Sequence, residues 1–144
     1  MRNLVAISVR QPWAALLVAG FKSIEVRKWL THRRGKVLIH AAKLIDDRPE
    51  GWARIATPEL KQAAELRGGI IGVGELAECR LYNSPATFAS DTERHMNAPE
   101  WFVPPRLFGF VFRDIRPVNF YPYSGQTMFF GVRGFTLPEA RGDE

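Results

Sequence analysis

The spacing of apolar positions changes several times along the chain, and each change marks an element. Leu4-Val5-Ala6-Ile7 is a short continuous apolar run, the mark of a buried strand. Trp13, Leu16, Leu17 and Gly20 then fall at i, i+3, i+4 and i+7, the spacing of one buried helical face. The spacing predicts a helix over residues 12–19, with Pro12 at its first position and Gly20 as a stop that accepts positive φ. Ile24-Glu25-Val26-Arg27 alternates, so a strand there sends Glu25 and Arg27 to one face. Val37 to Ala41 is nearly all apolar and predicts an interior strand. Thr57-Pro58-Glu59-Leu60 carries the cap, proline and acid of a helix start, and that helix should run to about Leu66, before Gly68-Gly69. Ile70 to Arg80 reads as a long strand bent at Gly72 and Gly74. Leu107 to Ile115 is an aromatic-rich strand that Pro117 should end, and Met128 to Val132 is a last strand. Asn83-Ser84-Pro85, Asn97-Ala98-Pro99 and Pro104-Pro105 cut residues 81–105 into turns, with one short helix expected near Phe88–His95.

Strands mixed with helices in 144 residues indicate a single domain of α/β (α+β) class. The single Cys79 excludes an internal disulfide and fits a reducing compartment; it reads as a buried strand residue. No apolar run approaches the ~18 residues of a membrane span, and the first residues do not form a signal peptide. The expectation is a cytoplasmic protein with no membrane partner. Charge adds an asymmetry. Residues 1–43 hold nine Lys or Arg against one acid, Glu25, whereas residues 44–144 hold eleven bases against fourteen acids. The positive field belongs to the first third and points to a polyanionic partner. Metal spacings such as His-x-x-x-His or Cys-x-x-Cys and phosphate-loop motifs are absent, so no cofactor is evident. Gly72-x-Gly74 lacks the rest of a dinucleotide fingerprint.

Three motifs in the first third carry a family resemblance. Gln11-Pro12-Trp13-Ala14, then Gly20-x-Lys22-x-x-Glu25-x-Arg27, then Gly35-x-x-x-Ile39-His40-Ala41-Ala42-Lys43 resemble the ASCH domain, a small family related to the PUA fold of RNA-modifying enzymes. Tyr123-Ser124-Gly125-Gln126 is similar to segments of bacterial members. The resemblance implies a PUA-like β-barrel of about five to six strands with flanking helices, spanning residues 1–137 and followed by a tail over 138–144. It also implies an RNA- or nucleotide-binding cleft between helix and barrel. Some relatives are reported to hydrolyse RNA and others to deacylate modified cytidine. Lys22 matches the key lysine of the deacylating relatives, but their threonine three positions on is Glu25 here.

The leading expectation is a protein that binds single-stranded RNA in a basic cleft, with ribonuclease activity as an extension. Arg10, Gln11, Trp13, Arg27, Trp29, Arg33, Arg34 and Lys36 are the candidate nucleic-acid contacts. Cations neutralise phosphates, and an aromatic or guanidinium plane stacks on an unpaired base. Trp29 reads equally as such a platform or as a lid over the core. Lys22, Glu25, Lys43 and Ser124 are the candidate catalytic residues. Lys43 follows the apolar run and should reach the cleft on a packed stem, placed to stabilise charge on a phosphate. Lys22 beside a carboxylate can act as general base or hold a phosphate. His40 reads as a structural histidine. A divalent metal enters only if the protein is a nuclease. The competing class is an amidohydrolase acting on an acylated or otherwise modified nucleoside. A protein-interaction module is a third class, and it requires an exposed apolar patch.

Overall fold

The computed structural model describes residues 4–138. Six strands form one sheet: β1 (Leu4–Val9), β2 (Ile24–Arg27), β3 (Gly35–Ala41), β4 (Gly69–Tyr82), β5 (Leu107–Pro122) and β6 (Phe129–Val132). Their order is β2-β5-β4-β3-β1-β6. β1 and β3 run parallel, and every other neighbouring pair is antiparallel. The sheet curls into a half-barrel whose two edges, β2 and β6, are not hydrogen-bonded to each other. Side chains bridge that seam. The Arg27 guanidinium donates to the Ser8 carbonyl at 2.8 Å, and Trp29 packs edge-on against Phe110 of β5 and Phe129 of β6.

Helix α1 (Trp13–Val18) is buried on every side and fills the concave face together with Ile7, Val9, Val37, Ile39, Phe110 and Phe112. Pro12 is its N-cap rather than its first helical residue, and Gly20 takes a φ of 87° just past its end. α1 lies close on β4: a Cβ at Gly72 would stand 2.5 Å from Val18 Cγ2. A second apolar layer on the other face joins Ala6, Leu38, Ile70, Val73, Phe130 and Val132.

Several elements depart from expectation. The loop after Asp46 contains one helical turn, α2 (Pro49–Trp52). α3 (Pro58–Ala64) begins where expected, with Thr57 Oγ1 accepting the Leu60 N–H at 3.1 Å. Residues 81–105 hold two short helices, α4 (Pro85–Ala89) and α5 (Thr92–His95), and a 3₁₀ turn at Pro99–Trp101. β5 continues through Pro117 to Pro122. Pro117 faces Gly72 where the β4–β5 register shifts, so the missing N–H falls at an irregularity in the ladder. Pro138 belongs to no strand or helix, and the rest of the expected tail lies outside the described residues. No helix among the described residues is long and apolar enough to cross a membrane.

Candidate functional site

A cavity of about 260 Å³ opens where β1, α1, β2 and the loops after β3 and α5 meet. Lys22 forms its floor and is only 2% exposed. Its Nζ donates to the His95 carbonyl at 2.7 Å, sits 3.5 Å from the Glu25 carboxylate and lies 5.2 Å from the Trp13 ring centroid. Burial pushes the Lys22 ammonium below its ordinary pKa, against the opposing pull of Glu25. The other Glu25 oxygen takes Arg27 at 3.0 Å. Glu25 therefore stands between two cations, and the alternation of β2 places it and Arg27 together on the cavity wall.

The facing wall comes from residues that the sequence did not single out. Asp46 accepts Trp13 Nε1–H at 2.8 Å and holds Arg48 through contacts of 2.6 to 3.1 Å. Hydrogen bonding from Arg48 keeps the Asp46 carboxyl well below the ordinary carboxylate range. The Arg48 guanidinium lies 3.6 Å over the ring centroid of Trp101, which meets Trp13 edge-on at 6.1 Å. Asn97 completes the wall, and its backbone N–H donates to His95 Nδ1 at 2.9 Å. His95 is fully buried and stacks on Phe88 at 4.3 Å. Its Nε2 lies 2.7 Å from the Phe88 carbonyl. These partners assign the proton to Nε2, and burial lowers the pKa of the ring. The 81–105 segment thus grips Lys22 from behind. The family resemblance implies that the 81–105 segment shapes the cleft, and Asn97 and His95 are the residues through which it does so.

The expected site residues divide into groups. Arg10 is exposed at the cavity rim, and Trp13, Lys22, Glu25 and Arg27 line the cavity. Gln11 does not contact it: the side chain is fully buried, donating to the Ala63 and Leu66 carbonyls at 2.8 and 3.1 Å and accepting from Ala15 N–H at 2.9 Å. It fastens α1 to the end of α3, so the expected nucleic-acid contact is a structural clamp. Trp29 is half-buried in the seam and lids the core instead of standing free as a platform. Arg33 lies over Phe129 at 5.3 Å, and Arg34 donates to the Thr31 and Arg33 carbonyls; both, with Lys36, are exposed beyond the seam. Lys43 and Ser124 are not gathered with Lys22 and Glu25. They line a separate open depression with Tyr123 and Gln126. Lys43 packs its stem on Gly68 there, because the chain turns away after Ala41. His40 sits 2.9 Å from Ser8 Oγ and 2.7 Å from the Tyr123 carbonyl, a buried and fully partnered histidine. Cys79 is half-buried in β4. Among the described residues, no three His, Cys, Asp or Glu side chains group to hold a metal ion.

The family model for the ASCH domain matches residues 7–132. The chain belongs to the ASCH domain family. Human activating signal cointegrator 1 is 34% identical over 104 residues, which are 67% of this chain and 18% of that protein. Mouse activating signal cointegrator 1 is 51% identical over 80 residues, which are 51% of this chain and 14% of that protein. The chain thus spans less than a fifth of the length of these curated relatives. The crystal structure of ASCH from Zymomonas mobilis superimposes with a TM-score of 0.63 at 15% identity, covering 93% of this chain and 90% of that one. A crystal structure of a mutant of the same bacterial protein gives a TM-score of 0.65, again at 15% identity and with 92% of each chain covered. At that identity, these structures speak for the fold alone, the curled sheet with flanking helices.

Proposed function

We propose that this ASCH domain binds single-stranded RNA, seating one nucleotide in the cavity between α1 and the half-barrel. The observation that carries the reading is the convergence of Arg10, Lys22, Arg27 and Arg48 on one cavity of about 260 Å³, against only Glu25 and Asp46. Such a site suits a single unpaired nucleotide rather than a duplex groove. Arg27 and Arg33 both lie along the seam, so a strand leaving the cavity over Trp29 meets further cations at Arg33, Arg34 and Lys36. Cleavage of the strand forms no part of this reading, because Lys43 and Ser124 line a different depression. The test is a titration of labelled single-stranded RNA, followed by anisotropy at several salt concentrations. Binding should weaken steeply with salt, and Arg33→Glu with Arg34→Glu should lower the log–log slope by about one for each phosphate no longer neutralised. A doubly reversed protein that keeps the original affinity and slope overturns the seam as the RNA path.

A second reading is favoured by one observation, the buried Lys22 ammonium held beside Glu25 with its pKa lowered by desolvation. A lysine so placed suits general-base hydrolysis of an acylated nucleoside. Chromatography of an N-acylated cytidine incubated with the protein tests it. Release of the free acid that Lys22→Ala abolishes supports the hydrolase, and no release at high protein concentration removes it.

A further inference from the structure

We infer that Arg48 is the base-stacking platform of the cavity, with Trp101 as its backing and Asn97 as the group that reads the base edge. The inference rests on the RNA-binding reading above and assigns the part of the nucleotide that each wall takes. A guanidinium is a flat cation with two faces and a rim of donors. In Arg48, much of that surface is already committed. The Nε and Nη2 edge is spent on both Asp46 oxygens, at 2.6 to 3.1 Å. One face lies 3.6 Å from the Trp101 ring centroid. Arg48 lines the cavity, whereas Trp101 does not, so the indole stands behind the guanidinium as seen from the cavity. The side chain is still 45% exposed, so part of it remains available to a ligand in the cavity. Here Asp46 fixes the azimuth and is itself fixed by the Trp13 indole N–H. A base entering the cavity extends the Trp101–Arg48 stack by one layer, and the charge of the platform also attracts the following phosphate.

Asn97 stands on the same cavity. Its backbone is held by His95 Nδ1, just after Met96 turns the chain with a φ of 62°. The side-chain amide makes no hydrogen bond among the described residues, and one amide offers a donor and an acceptor to a base edge.

The experiment compares a short oligouridylate with a ribose–phosphate oligomer of the same length that lacks bases, each titrated into the intact protein. The wild type should bind the base-bearing oligomer roughly fivefold to a hundredfold more tightly, the range of one stacked base. Arg48→Lys keeps the charge and removes the plane. It should lose severalfold more affinity for the base-bearing oligomer than for the abasic one and so erase most of that difference. Asn97→Ala should level the affinities for uridine, cytidine and adenosine homopolymers without changing the abasic value. Equal wild-type binding of both oligomers overturns the platform while the RNA reading stands. Binding of neither overturns the RNA reading itself. A loss in Arg48→Lys that is equal for both oligomers means that Arg48 acts on phosphate and overturns the stacking role. Should Arg48→Lys fail to fold, the wild-type comparison and Trp101→Leu, which leaves the guanidinium unbacked, decide the matter in the same way.

Discussion

Gln11→Ala separates the role observed for this residue from the role its sequence suggested. The native amide, itself fully buried, closes three hydrogen bonds, to the part-buried Ala63 and Leu66 carbonyls and from the buried Ala15 N–H. Alanine removes all three and leaves the Leu66 carbonyl and the Ala15 N–H without these partners, while the Ala63 carbonyl keeps the Leu66 N–H at 3.2 Å. At roughly 1 kcal/mol net for each bond, the loss is about 3 kcal/mol, and more if water cannot enter the space left behind. For a chain of 144 residues, that corresponds to a fall in Tm of about 10 °C. Gln11→Glu should be worse, because it turns a carboxylate oxygen toward two carbonyls that require a donor. Urea and thermal unfolding followed by circular dichroism give the stability, and RNA titration at low temperature, where the variant stays folded, gives the affinity. The expected result is a large stability loss with affinity nearly unchanged. A change below about 0.5 kcal/mol in stability, or a clear affinity loss in a fully stable Gln11→Ala protein, would refute the clamp and return Gln11 to the ligand.

Three further outcomes follow from burial and packing. His40 and His95 are both held below their ordinary pKa, first by burial, so the unfolded chain takes up protons on acidification before the folded one does. Stability should therefore rise with pH up to about 6.5 and fall below it; His95→Gln should flatten this dependence in urea unfolding compared at mildly acidic and mildly alkaline pH, and an unchanged slope would count against a neutral His95. Asp46, whose carboxyl is depressed mainly by Arg48, contributes stability that is present above about pH 4 and lost as pH falls through its folded value. Asp46→Asn should cost about 1–2 kcal/mol at neutral pH and remove that acid-side loss; a variant as acid-sensitive as the wild type assigns the loss to other carboxylates. Gly72→Ala would bring a Cβ within 2.5 Å of Val18 and 2.9 Å of the Arg116 carbonyl, so it should destabilise by about 1–3 kcal/mol in a thermal melt; an unchanged Tm would mean that α1 does not rest on β4 this closely.

What could be read from the sequence was whatever depends on neighbours close along the chain. The i, i+3, i+4 pattern from Trp13 and the alternation of Ile24–Arg27 produced α1 and β2, and with β2 the shared face of Glu25 and Arg27. Thr57 capped its helix because capping needs only three residues. Pairing across distance was hidden. Trp13 meets Asp46 across 33 positions and Lys22 meets His95 across 73, and no local pattern encodes either contact. Gln11 was expected to contact nucleic acid, yet its partners are all backbone groups, the Ala63 and Leu66 carbonyls and the Ala15 N–H. Pro117 looked like a strand end because it lacks an N–H, which costs nothing at a register shift. Strand periodicity likewise carries no information about whether the outer edges of a sheet meet, so the seam between β2 and β6 was not legible beforehand.

The pairing of the first strand with the last has a consequence for how such a unit can be used. Leu4 stands opposite Val132, so the chain enters and leaves the sheet at neighbouring points, about 5 Å apart across an antiparallel ladder. A body with its entrance and exit side by side can be spliced into a surface loop of a longer polypeptide while the host's own elements keep their spacing. The four residues of β6 also cover the edge of β1 that β3 leaves open. The architecture is therefore portable, and that property comes from one short antiparallel pair.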